Sequence, residues 1–291
     1  MPVYAVPEGS RIAKGRAIVN LLDLPAEEKI IRLLCLRNME GKFIVMITKQ
    51  GTIKKTDAMA FAKVRKTGIR ALNLNEGDEL VNCGVSNGNS SIVIATSLGQ
   101  GIHFREGEIR CMGRQAAGVR GIKLRKGDFV VGLEVMSDGG DLLFATSRGY
   151  GKRVGIKDFR VAHRGGIGVR TIPTGDRNGF LIGLARVTDD SEILLIDSNG
   201  KIIRLASEEI RTMGRQAQGV RLVRLDADQE LSSLLAFEIQ EVTSEAGLGE
   251  QPMIEGEQLP EGEEGDEVLV DGLDENFIPE DLVEDKPSHE A

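Results

Sequence analysis

The sequence predicts an all-β fold, a propeller-like array of four-stranded blades, on the strength of three observations. The segments IVMITKQGTIKKT, IVIATSLGQGIHF, LLFATSRGYGKRV and ILLIDSNGKIIRL align on Gly51, Gly99, Gly149 and Gly200, at spacings of 48, 50 and 51 residues. A second anchor, Gly followed by Ile or Val and then Arg, recurs at Gly68-Ile69-Arg70, Gly118-Val119-Arg120, Gly168-Val169-Arg170 and Gly219-Val220-Arg221, at spacings of 50, 50 and 51. No long segment sustains the 3.6-residue apolar spacing of an amphipathic helix. Two anchors sharing one period define a repeat, and four strands in about 50 residues is the size of a propeller blade.

Each unit opens on a β-rich apolar run that reaches a Gly-containing turn and continues as a second strand, which is a hairpin pattern. A second strand pair is expected further on. In the second unit it is formed by 118–124, a turn at Gly127-Asp128 and 129–135; the equivalent last strands begin near Glu79, Phe180 and Glu230. The blades are therefore expected at 43–89, 90–139, 140–190 and 191–240. Residues 1–42 read as the latter part of a further blade, with Gly15 near the anchor position and 30–34 as the closing strand, so the chain is expected to begin inside a larger product.

Charge divides the chain. Residues 1–240 carry 36 Lys and Arg against 27 Asp and Glu, a net +9, whereas residues 241–291 carry 18 acidic residues and one base, Lys286, a net −17. A basic body beside an acidic tail points to a polyanionic partner and an internal competitor for it. The tail combines Gly and Pro with only short apolar patches, Val268-Leu269-Val270 and Phe277-Ile278, and is expected to be disordered when free. No apolar run approaches the roughly 20 residues that span a bilayer, and the first ten residues lack the order of a signal peptide, so a cytoplasmic location is expected. Cys35, Cys83 and Cys111, and His103, His163 and His289, lack the spacing of a disulfide framework or a zinc site. Buried or half-buried free thiols and no metal site are the expectation. With no Trp and only Tyr4 and Tyr150, a base-stacking platform for single strands is disfavoured, while duplex binding remains open.

The bases recur with the repeat. After the first turn come Lys54 and Lys55, His103 and Arg105, Lys152 and Arg153, Lys201 and Arg204; around the second anchor come Arg65, Lys66 and Arg70, then Arg114, Arg120 and Lys123, then Arg164 and Arg170, then Arg215, Arg221 and Arg224. If every blade turns the same edge outward, these bases form a rim suited to the phosphates of a bent duplex. No P-loop, H-E-x-x-H or G-x-S-x-G elbow occurs. Gly149-Tyr150-Gly151 reads as a turn requiring positive φ, and both tyrosines read as packing residues rather than nucleophiles.

The stretch MGRQAAGVRGIKL at 112–124 and its return as MGRQAQGVRLVRL at 213–225 resemble the C-terminal domain family of gyrase A proteins. GRAIVNLL at 15–22, GYGKR at 149–153 and NGFLIGLARV at 178–187 share the resemblance, which covers residues 1–240. It implies a β-pinwheel whose neighbouring blades exchange strands and whose basic rim bends and wraps duplex DNA, in support of ATP-driven negative supercoiling. In that family cleavage belongs to an N-terminal region, and ATP with Mg to other parts of an A2B2 assembly with gyrase B. The family's Q-R-R-G-G-K-G box has no full copy here; the nearest string is His163-Arg164-Gly165-Gly166-Ile167-Gly168, and the box is expected upstream of residue 1. The related domain of topoisomerase IV and an interaction propeller without a DNA role are the alternatives.

Overall fold

A computed structural model describes residues 6–10, 12–17, 20–22, 28–63, 68–137, 139–226 and 228–238. The chain divides into two units, Met1–Glu241 and Val242–Ala291. The acidic segment with its expected disorder lies outside the described residues, as do Arg65, Lys66 and Tyr4.

Fifteen strands carry the described part of the first unit. In chain order they are β1 (Phe43–Thr48), β2 (Thr52–Asp57), β3 (Leu80–Ser86), β4 (Ser91–Thr96), β5 (Gln100–Arg105), β6 (Val119–Arg120), β7 (Val130–Met136), β8 (Asp141–Thr146), β9 (Tyr150–Gly155), β10 (Val169–Arg170), β11 (Leu181–Val187), β12 (Ser191–Asp197), β13 (Ile202–Ala206), β14 (Val220–Arg221) and β15 (Leu231–Glu238). They form sheets ordered β3-β1-β2-β6, β7-β4-β5-β10, β11-β8-β9-β14 and β15-β12-β13. Each of the first three blades thus takes three strands from its own repeat and a fourth, the Val-Arg of the second anchor, from the following repeat.

This corrects the expected pairing of 118–124 with 129–135. Val119 and Arg120 pair antiparallel with Ile53 and Thr52 of the preceding blade instead. The glycine that opens the anchor permits the exchange: at Gly118 a Cβ would stand 2.6 Å from the Ile53 carbonyl oxygen, and the next anchor is tighter still. Gly168 has φ +79°, and a Cβ there would stand 2.3 Å from the Gly101 carbonyl oxygen, so only a glycine lets the two backbones meet. The exchanged strand stays two residues long because the chain then turns back to build its own blade.

The hairpins follow from local chemistry. Thr48 and Thr96 accept the backbone N–H of Thr52 and Gln100 across their turns, and in the last blade the Asp197 carboxylate does the same for Lys201. The Asp128 carboxylate, at the turn before β7, accepts from the Thr96 and Ser97 hydroxyls and from the Leu98 N–H, tying the last strand to the hairpin turn. The run Ile92, Val93, Ile94 and Ala95 is fully buried on both faces, because the first blade covers one side of its sheet and the third blade the other. Three apolar clusters result: one holding residues of blades one and two, the next of two and three, the last of three and four. The final strands of successive blades pack in series, β3 on β7, β7 on β11 and β11 on β15.

Of the cysteines, Cys35 and Cys111 are exposed rather than buried; Cys83 is half-buried, and burial pushes its thiol up.

Candidate nucleic-acid interface

The strand exchange decides which of the recurring bases reach solvent. On the second hairpin strand most do not. Lys54 is fully buried, and its Nζ donates to the carbonyls of Ala71 and Arg114, at 2.6 and 2.5 Å. Lys152 is the equivalent residue of the third blade. Also fully buried, it donates to the carbonyls of Gly214, Arg215 and Ala217 at 3.2, 2.5 and 2.9 Å. Burial, with Arg215 adding repulsion against a weaker pull from Asp158, lowers the Lys152 ammonium to about 8. Both ammonium groups therefore organise the loop that leads into the exchanged strand, and neither can meet a phosphate. That removes Lys54 and Lys152 from the expected interface.

The following position on the same strand stitches blade to blade. Lys55 pairs with the fully buried Glu106 at 3.3 Å and lies over the Phe43 ring. His103 Nδ1 meets the Phe159 carbonyl at 3.0 Å, and Arg153, held by Asp141 and Asp189 of its own repeat at 2.6 and 2.7 Å, donates to the Ser207 hydroxyl of the next at 3.5 Å. The carbonyls of Lys55, His103 and Arg153 accept from the N–H of Met112, Ala162 and Met213, each on the next repeat. Lys55 and Arg153 are buried as well, so the structure turns both inward, contrary to expectation. In the last blade no described residue of a further repeat covers the equivalent Arg204, which is exposed and bonded to Glu192 at 2.7 Å. Lys201 and Arg105 are exposed too.

The anchor arginines behave oppositely. Arg70, Arg120, Arg170 and Arg221 are all exposed, as are Lys123 and Arg224. Arg120, Arg170 and Arg221 occupy one register position, opposite Thr52, Gln100 and Tyr150, at the outer edge of three successive blades. Between them lie half-buried loop arginines. Arg164 donates to the Arg120 carbonyl at 3.0 Å and to the Glu108 carbonyl, and Arg215 reaches the Arg170 carbonyl at 3.5 Å. Each loop thus leans on the anchor of the repeat before it, which places a half-buried arginine beside the Arg120 and Arg170 anchors. Arg114 is the matching loop residue of the second repeat, also half-buried. The string His163 to Gly168 is one of these junction loops: Gly165 N–H donates to the Gly121 carbonyl, and the Gly166 carbonyl accepts from Lys123.

Sequence reasoning missed Arg148 and Arg177, both exposed, and the arginine contacts of Tyr150. The Tyr150 phenol oxygen accepts from Arg221 at 2.8 Å, while the Arg177 and Arg221 guanidiniums stand 4.5 and 5.3 Å from its ring centre. None of these recurs in the other repeats, so the periodic signal that exposed the anchors was blind to them.

A family model described as the DNA gyrase C-terminal domain, beta-propeller, matches residues 1–37, 42–87, 90–136, 140–188 and 191–238. The chain belongs to the DNA gyrase C-terminal domain family. It is 38% identical to the gyrase A protein of Klebsiella oxytoca over 287 residues, covering 98% of this chain and 31% of that protein. The gyrase A protein of Streptococcus pyogenes serotype M3 is 53% identical over 233 residues, 79% of this chain and 28% of the relative. The chain thus spans about three tenths of the length of these curated relatives. Two solved structures share the fold at 24% identity. One is the C-terminal domain of DNA topoisomerase IV, with TM-score 0.72 over 77% of this chain and 71% of that one; the other is a DNA gyrase A C-terminal domain, with 0.70 over 77% and 76%. The folds do not separate the two enzymes; the family model and the sequence relatives do.

Among the described residues no group of His, Cys, Asp or Glu could hold a metal ion, and no helix is long and apolar enough to cross a membrane.

Proposed function

We propose that this chain is the DNA-wrapping part of a gyrase A protein, binding duplex DNA along its basic rim so that the assembled topoisomerase can introduce negative supercoils. The supporting observation is the line of exposed Arg120, Arg170 and Arg221 at one register position on consecutive blades, joined by the Arg164 and Arg215 loops. Guanidiniums set at the blade period suit phosphates on a curved duplex and carry no sequence code, so binding should show little sequence preference. The other rim bases are Arg70, Arg105, Arg114, Lys123, Lys201, Arg204 and Arg224, with Arg65 and Lys66 included on sequence grounds alone. The partners under this reading are duplex DNA, the rest of gyrase A and gyrase B, with ATP and Mg acting on those other parts, in the cytoplasm at the nucleoid.

A gel shift of duplex DNA across a salt series tests it. With about six to ten phosphate contacts, affinity should fall on the order of 10³- to 10⁵-fold between roughly 50 and 200 mM salt. A flat response would instead favour a protein-interaction propeller. The −17 tail is the internal competitor in this scheme, tethered to a +9 body and so acting at an effective concentration that is roughly millimolar for a short flexible link. Deleting residues 242–291 should raise DNA affinity most at low salt and less as added ions screen both contacts. Equal affinities at low salt would leave the tail a solubilising role only.

A further inference from the structure

On the third blade the rim carries a feature the others lack. Tyr150 stands opposite Arg221, where Thr52 and Gln100 stand opposite the equivalent arginines. Its ring is flanked by the guanidiniums of Arg177 and Arg221, and Arg148 lines the same hollow. The cluster is assembled from two repeats, because Arg221 arrives on the exchanged strand β14 while Tyr150, Arg148 and Arg177 belong to the receiving blade. Arg177 is fixed by donating to the Gln218 side chain at 2.9 Å and to the Gly219 carbonyl at 3.5 Å, and Arg148 by donating to the Asp176 carbonyl. Held this way, the guanidiniums need little further ordering to meet an anion.

The phenol is oriented as well. Its oxygen accepts from Arg221, which leaves its own O–H free to donate. That hydrogen bond, with the nearby charges of Arg221 and Arg177, holds the Tyr150 phenol below its usual range, so its O–H is a better donor than an ordinary tyrosine's.

We propose that Tyr150 and Arg148, Arg177 and Arg221 form a dedicated seat for one backbone phosphate of the duplex, with the phenol donating to a phosphate oxygen beside the guanidiniums. It rests on the rim reading above and names the point where that rim grips. Asp226, Asp228 and Glu230 line the same hollow. They repel a free phosphate dianion more than a singly charged phosphodiester, so the seat favours the DNA backbone over inorganic phosphate.

The test compares the full chain with Tyr150→Phe and Arg177→Ala, measuring affinity for a duplex long enough to follow the rim across a salt series, with thermal melting as the folding check. Losing one hydrogen bond in Tyr150→Phe should weaken binding about 2- to 10-fold. Arg177→Ala should flatten the slope of log affinity against log salt by about 1, and it keeps the test alive if the tyrosine variant folds poorly. Millimolar inorganic phosphate should weaken the unaltered chain no more than the same ionic strength of chloride. Unchanged binding in both variants overturns the seat while leaving the rim intact. Tighter binding in either one would make the cluster a seat for the chain's own carboxylates, and stronger competition by phosphate than by chloride would make it a site for the free ion; each overturns the proposal. If the unaltered chain fails to bind duplex, the rim reading falls and the seat falls with it.

Discussion

Two sets of bases recur with the same period in this chain, and they serve different ends. Those on the second hairpin strand, Lys54 and Lys55 in the first blade and Lys152 and Arg153 in the third, point into the junction with the next repeat and are buried. Those on the exchanged strand, Arg120, Arg170 and Arg221, sit on the far side of the same junction and are exposed. The last blade shows what makes the difference. Among the described residues no strand of a further repeat reaches its sheet, which has three strands, and on the edge strand β13 Ile202 is 60% exposed and Arg204 faces solvent. Recurrence at matched positions therefore has two sources in a repeat protein: a shared outer surface and a shared interface between units. Periodicity alone does not tell them apart; the neighbouring repeat does.

The sharpest way to break the comparison is at the junction glycine. Gly168→Ala places a Cβ 2.3 Å from the Gly101 carbonyl at a φ of +79°, so β10 must leave β5. Overlap and strain together should cost on the order of 4 kcal/mol, read as a fall in melting temperature. Next in size is the contrast between an inward and an outward base. Lys152→Met takes the donor from three loop carbonyls, and should lower stability by about 3 kcal/mol. Arg204→Ala, at the equivalent strand of the uncovered blade, should leave the melting temperature within error. Equal effects from the two would mean that the junction does not distinguish them.

Much of the fold is legible in the sequence because it is written in short-range chemistry. The Gly turns, the Thr and Asp residues that cap them and the onset of β3, β7, β11 and β15 all sit where the repeat places them. The strand exchange is not legible locally. Val119-Arg120 looks like the start of a hairpin with 129–135, and only the close approach allowed by Gly118 sends it to the previous blade. The site divides along the same line. The exposed anchors could be found from their period; the burial of Lys54 and Lys152 could not, since the loop carbonyls of the next repeat that they meet, Arg114 and Arg215, lie 60 and 63 residues further along the chain. Tyr150 and Arg177 escaped for the opposite reason, being chemistry without recurrence.

The exposed anchor arginines are the proposed DNA-holding edge of this domain. The most direct measurement is the slope of log affinity against log salt for duplex binding by the unaltered chain and by the triple variant Arg120→Ala, Arg170→Ala, Arg221→Ala, with melting curves to confirm that both are folded. Three lost phosphate contacts should flatten the slope by roughly 3 and weaken binding uniformly across DNA sequences. Identical slopes from two equally folded chains would contradict the claim.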